Sequence, residues 1–284
     1  MKKIAVIADS SIAFNKEDME KYEVYMVPNV IMHNDTTYFD QVTITNSEIE
    51  KLLDDGETLT TSQPAIGQIM ELYKEVVAKD YDHIFVLSIS KNLSGGYNAF
   101  NQAANQLELE NISILDTQTI TGVIQQAVKA IRKMNAEDKS IEEITEYLNK
   151  LFANQTSYLH PKSLKQIVAS GRLHPAAGKI ASMLKIQTLL YIKPGLESIE
   201  KLAVTRTNKK IFETIIEDMQ KNNVDPKTHD IYIFESSNTH NADDFLAYLS
   251  ENYGDFTINK VRIAASLSVH VGNGAYGVQT CLKI

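Results

Sequence analysis

Three short runs of apolar and β-branched residues, 3–8 (KIAVIA), 83–90 (HIFVLSIS) and 111–116 (NISILD), decide which architectures this chain can adopt. A strand that is apolar at nearly every position must be covered on both faces, and a parallel sheet with crossover helices provides that cover. The intervening sequence has helical period. Residues 45–53 open with a capping box of Thr45 and Glu48, and residues 64–78 place Ile66, Ile69, Met70, Tyr73 and Val77 on one face. Further helices are expected over 117–134 and 140–152, the second capped by Ser140 with Glu143 three residues on. The pattern changes near Asn154-Gln-Thr-Ser157, with Pro161 close behind, so a parallel-sheet α/β domain is expected over 1–155 and a second domain over 156–284.

In the second half, strands are expected at 157–159, 188–192, 201–205, 231–234, 260–264 and 277–282, with helices near 161–169, 176–184, 208–221 and 242–252. Residues 188–205 read as strand, turn, strand, so part of this sheet is antiparallel and the domain is α+β. At 284 residues and 43% hydrophobic content the chain can bury a full core in two domains. A formal net charge of -8 argues against a duplex nucleic-acid partner, because phosphate binding needs a basic surface. The opening Met1-Lys-Lys-Ile-Ala-Val-Ile-Ala-Asp9 is expected to be a buried strand and not a secretory signal, since Asp9 interrupts an apolar run shorter than the usual ~7–15 residues. No stretch approaches the roughly 18 apolar residues of a membrane span. The lone Cys281 cannot form an internal disulfide and is expected to pack in the core, which fits a cytoplasmic protein.

Ligands of open parallel sheets bind beyond the carboxyl ends of the strands, so the polar residues there are the candidates for function. They form clusters: Asp9-Ser10-Ser11, Thr60-Thr61-Ser62-Gln63-Pro64, Leu93-Ser94-Gly95-Gly96, Ser170-Gly171-Arg172, Thr205-Arg206-Thr207 and Ser268-Val-His270-Val-Gly272-Asn-Gly274. Pro64 is expected at a first helical position, which leaves hydroxyls ahead of a helix N-terminus. The Ser94-Gly95 turn frees backbone N–H groups at the start of a helix, a setting that favours an anion. His270, in a run that reads as strand, is placed to donate to an anionic oxygen, and ionisation would strengthen that contact.

Taken together, in this order and spacing, these clusters with Asp116-Thr117 and Ile192-Lys193-Pro194 resemble the DegV family of bacterial fatty-acid-binding proteins along the whole chain. The resemblance implies two α/β domains with a long acyl chain in a tunnel between them. It implies carboxylate contacts from Thr61, Ser62, Ser94, Gly95 and His270, with Arg172 and Arg206 near the carboxyl end or on a kinase-facing surface. It also implies a partner: an ATP-dependent fatty acid kinase that converts the presented carboxylate to an acyl phosphate for phospholipid metabolism. No metal or cofactor is expected besides the fatty acid ligand. Gly96, Asn273 and Ser170 depart from the commonest family pattern, which bears on the turns and not on the proposed carboxylate ligands. Transient membrane contact is expected for ligand exchange, with 176–185 and its Lys179 and Lys185 as the candidate element.

Energetics favour holding over transforming the ligand. Each buried methylene is worth roughly 0.8 kcal/mol, so about fourteen of them supply a gross ~11 kcal/mol before ordering costs. The competing expectation is a serine hydrolase, with Ser94 or Ser62 activated by His270 and oriented by Asp9 or Asp116, although the sequence lacks a G-x-S-x-G elbow. A sugar binder with a covalently reactive His and a polar pocket is a third possibility.

Overall fold

The computed structural model describes residues 2–178, 186–237 and 241–284. Residues before 156 supply β1 (Ile4–Asp9), β2 (Val24–Val27), β3 (Val30–His33), β4 (Thr36–Phe39), β5 (Leu59–Ser62), β6 (His83–Ser88) and β7 (Ile112–Asp116). Later residues supply β8 (Thr156–His160), β9 (Gln187–Ile192), β10 (Glu200–Thr205), β11 (His229–Glu235), β12 (Thr257–Arg262) and β13 (Tyr276–Leu282). The first sheet has the order β2-β1-β6-β7 and is parallel throughout, as its continuous apolar strands require. The six-stranded sheet runs β10-β9-β8-β13-β11-β12 and is antiparallel except for the β11–β12 pair. The fold is thus α/β with a parallel sheet and a second, sheet-rich part.

A third, antiparallel sheet, β4-β3-β5, was not legible in the sequence. Its strands are four residues each, and much of their surface is exposed, so neither length nor alternation marks them. Thr60, Thr61 and Ser62 lie in β5, and the helix that follows begins at Ile66 with Ala65 as its cap. Pro64 is therefore not the first helical residue. The helix expected from 117 begins at Gly122. Residues 117–121 are held as a turn: the Thr117 hydroxyl donates to Ser88 O (2.8 Å), and Asp116 Oδ1 accepts from the backbone N–H groups of Lys91 (3.0 Å) and Gln118 (3.2 Å).

The helix Gly122–Ala136 is buried on nearly all sides. Its Val123, Ile124, Ala127 and Val128 share one apolar cluster with Ile4, Val6 and Phe85 of the parallel sheet and with Tyr232 and Cys281 of the six-stranded sheet. Gln279 fastens the two sheets around the start of that helix. Its Nε2 donates to Ile120 O (2.7 Å), Ser157 Oγ (2.8 Å) and Thr119 Oγ1 (3.2 Å), and its Oε1 accepts from Gly122 N (2.9 Å). A buried amide with this many partners repays its desolvation and fixes how the halves meet. No described helix is long and apolar enough to cross a membrane.

Candidate functional site

A cavity of about 250 Å³ opens between the halves, beyond the carboxyl ends of the parallel strands. One part of its wall is polar: Asn29, Thr61, Ser62, Gln63, Ser94, Gly95, Arg172, Ser266 and His270. The remainder is aliphatic apart from Phe234, with Ile89, Ile120, Leu159, Ile167, Ile192 and Ile263 among the contributors. Six of the seven residues singled out from sequence converge here, from segments as far apart as 61 and 270. Arg206 does not. It lies just past β10 with its side chain exposed to solvent.

His270 was expected in a strand but stands on the helix Ala265–Val271. Asp40 helps to explain why this run, with valines on either side of His270, folds as helix. Its Oδ2 accepts from Ser266 N (3.2 Å), Ser266 Oγ (2.5 Å) and Ser10 Oγ (2.7 Å), which caps the first turn of that helix from another part of the chain. Gly272 ends the helix at φ 75, a left-handed conformation, and its N–H reaches Ser268 O (2.8 Å). Burial pushes the Asp40 carboxyl above its ordinary range, against the pull of the Ser266 and Ser10 hydrogen bonds. Asp40 gave no sequence signal, because Ser266 is 226 positions away. Asp40→Ala strands both serines and uncaps the helix, so unfolding free energy is expected to drop by roughly 2–4 kcal/mol in urea titrations.

His270 Nε2 and Thr61 Oγ1 lie 2.7 Å apart. Burial, with the Arg172 charge second, pulls the imidazole down to about 4, so it is neutral at pH 7 in the empty cavity and the expected ionised donor is not the resting state. Arg172 ties two polar clusters together, donating from Nε to Leu93 O (3.3 Å) and from Nη1 to Ser170 O (2.5 Å). Ser94 Oγ accepts from Gly96 N (3.2 Å) at the start of the helix Gly96–Gln106. A side chain at Gly95 would collide with the Gln63 amide, so the turn and the β5 exit are closely apposed. The hydrolase constellation is not assembled. His270 pairs with Thr61, while Asp9 accepts from Ser11 N, Asn29 Nδ2 and Ile89 N, and Asp116 is occupied by backbone amides.

A second cavity of about 250 Å³ lies on the far side of Thr61, Arg172 and His270, bordered by Glu57, Thr58, Thr60, Lys165 and Gln166. Leu53, Leu59, Ala169 and Val269 also line it, so the polar cluster stands between an apolar chamber and an antechamber of mixed character. Among the described residues no group of three or more His, Cys, Asp or Glu side chains is arranged to hold a metal ion.

The sequence model of the family described as "Uncharacterised protein, DegV family" matches residues 3–283. The chain belongs to the DegV family. A DegV domain-containing protein of Clostridium acetobutylicum is 28% identical over 279 residues, covering 98% of each chain. One from Staphylococcus aureus is 26% identical over 287 residues, with 100% of both covered. Among solved structures, a DegV family protein from Thermus thermophilus, described as fatty acid binding, superposes with a TM-score of 0.89 at 22% identity over 100% of each chain. A stearic acid-binding protein from Eubacterium ventriosum gives 0.87 at 21% identity, over 100% of this chain and 99% of its own. At these identities the structural likeness establishes the DegV fold.

Proposed function

We propose that this DegV protein is a non-enzymatic carrier that binds a long-chain fatty acid in the cavity between its sheets. The carboxylate is held at Thr61, Ser62, Ser94, Gly95 and His270. The observation that carries this reading is an aliphatic chamber with its polar wall gathered around one hydrogen-bonded pair, Thr61 and His270. An amphiphile with one polar end matches that division, and a polar ligand would leave the aliphatic wall unused. With Nε2–H donating to Thr61 Oγ1, the threonine hydroxyl hydrogen is free to donate to a carboxylate oxygen. Fatty acid binding by the Thermus and Eubacterium relatives supports the same ligand class.

The bound carboxylate is then presented, in the cytoplasm, to a separate ATP-dependent fatty acid kinase that forms the acyl phosphate. The antechamber beyond Thr61, Arg172 and His270 supports this step, since Glu57, Thr58, Thr60 and Lys165 on its wall give the head group polar neighbours on that side. Arg206 is exposed and away from the chamber, which suits a residue that meets the kinase. Arg206→Ala is expected to keep fatty acid affinity and to weaken the apparent affinity for the kinase about tenfold. Unchanged kinase kinetics would remove that role. The ligand is taken up by transient contact with a bilayer; of the candidate element, Pro175–Gly178 is helical, and Lys179 and Lys185 lie outside the described residues.

Native mass spectrometry of the purified protein, followed by its organic extract, tests the central reading. One fatty acid per chain is expected. A protein that is empty and takes up no added fatty acid would end the carrier reading.

A further inference from the structure

Two residues of the chamber wall, Leu159 and Phe234, belong to a row in register across the six-stranded sheet. Leu159 of β8 stands opposite Leu190 of β9 on one side and Gly277 of β13 on the other, and Gly277 stands opposite Phe234 of β11. Paired residues on neighbouring strands face the same side of a sheet, and Leu159 and Phe234 both line the cavity. Gly277 is the member without a side chain. The Phe234 ring occupies its place: a Cβ at Gly277 would fall 2.0 Å from the ring's Cζ and 2.4 and 2.5 Å from its two Cε atoms. The aromatic ring lies across the backbone trough that the glycine leaves, as aromatic residues do when they cover a glycine on an adjacent strand.

We propose that the Phe234 and Gly277 pair sets the capacity of the chamber and thereby the acyl chain that the protein selects. This rests on the reading of the cavity as an acyl chamber. Phe234 is the one phenyl ring among the described lining residues, and it is 1% exposed. Its height above the sheet follows from whether position 277 is empty. A methyl group at 277 forces the ring upward into the cavity and reduces the space left for ligand, whereas a smaller side chain at 234 reopens the trough and enlarges it. Neither residue is one of the polar lining residues, so the change is expected to act on the acyl chain and not on the head group.

The test measures affinities for a homologous series of saturated fatty acids with the full-length protein. Each methylene that fits raises affinity roughly fourfold, and the rise stops where the chamber is full. Phe234→Leu is expected to move that stopping point to longer chains and Gly277→Ala to shorter ones. Phe234→Met supplies a second enlarging variant if leucine leaves the sheet poorly folded, with near-UV circular dichroism as the check. Stopping points that coincide with the wild type, or that shift in the same direction in both variants, would overturn the inference while leaving the carrier reading in place. A wild-type protein that binds no member of the series would overturn both.

Discussion

Thr61→Val is expected to weaken fatty acid binding roughly ten- to hundredfold, the cost of removing one hydrogen bond to a buried charged group. Valine keeps the shape of threonine, so the aliphatic chamber and the strand pairing of Thr61 with Ile31 persist. Two groups lose a partner: the carboxylate loses a donor, and His270, 2.7 Å away, loses the oxygen that orients its ring. His270→Leu should cost a similar amount by a different route, because the threonine hydroxyl then lacks the partner that turns its hydrogen toward the ligand. The double variant should lose little more than either single one, since both act through the same chain of hydrogen bonds. Isothermal titration with one fatty acid across the four proteins measures this coupling. Full additivity, or wild-type affinity in Thr61→Val, would place the carboxylate elsewhere in the cavity.

How much of this was readable beforehand depends on whether the determining contacts are local. The parallel strands were plain because burial on both faces writes itself into consecutive residues, as in IAVIAD of β1. The capping boxes at Thr45 and Ser140 were also plain, since donor and acceptor are three residues apart. The helix that carries His270 is short and has valines on both sides of the histidine, which reads locally as strand, and the group that caps it is Asp40, supplied from a distant loop. The polar wall was legible as a set of clusters only because the order of the clusters resembles a family; nothing local joins Thr61 to His270. Gly277 looked like one more glycine until the sheet register set it beside Phe234.

His160 and His270 are each expected to destabilise the empty protein on acidification, by about 3 kcal/mol apiece between pH 6.5 and about 4. Burial pulls both His160 and His270 down from 6.5 to about 4. A base whose folded pKa is depressed stays neutral while its unfolded counterpart takes a proton. Above 6.5 neither state is charged and there is no penalty; below it the unfolded state gains, at about 1.4 kcal/mol per pH unit for each histidine, until the folded pKa is reached. His160 is 7% exposed, packs against the Tyr276 ring at 5.2 Å and has no partner for Nε2 among the described residues, so nothing nearby would stabilise its charge. Asp40 works in the opposite sense: its raised carboxyl is relieved by protonation, which offsets part of the loss. Urea midpoints measured from pH 7 downward in the wild type and in His160→Gln isolate that ring's share, an expected difference of about 3 kcal/mol by pH 4. Coincident profiles for the two proteins would mean that the His160 ring titrates normally in the folded chain. The ligand supplies an internal control, because a carboxylate beside Thr61 opposes the Arg172 charge and lifts His270 back toward 6.5. The loaded protein should therefore lose less stability on acidification. Binding at a pH between the empty and loaded values of His270 should take up protons, seen by calorimetry in buffers of different ionisation enthalpy.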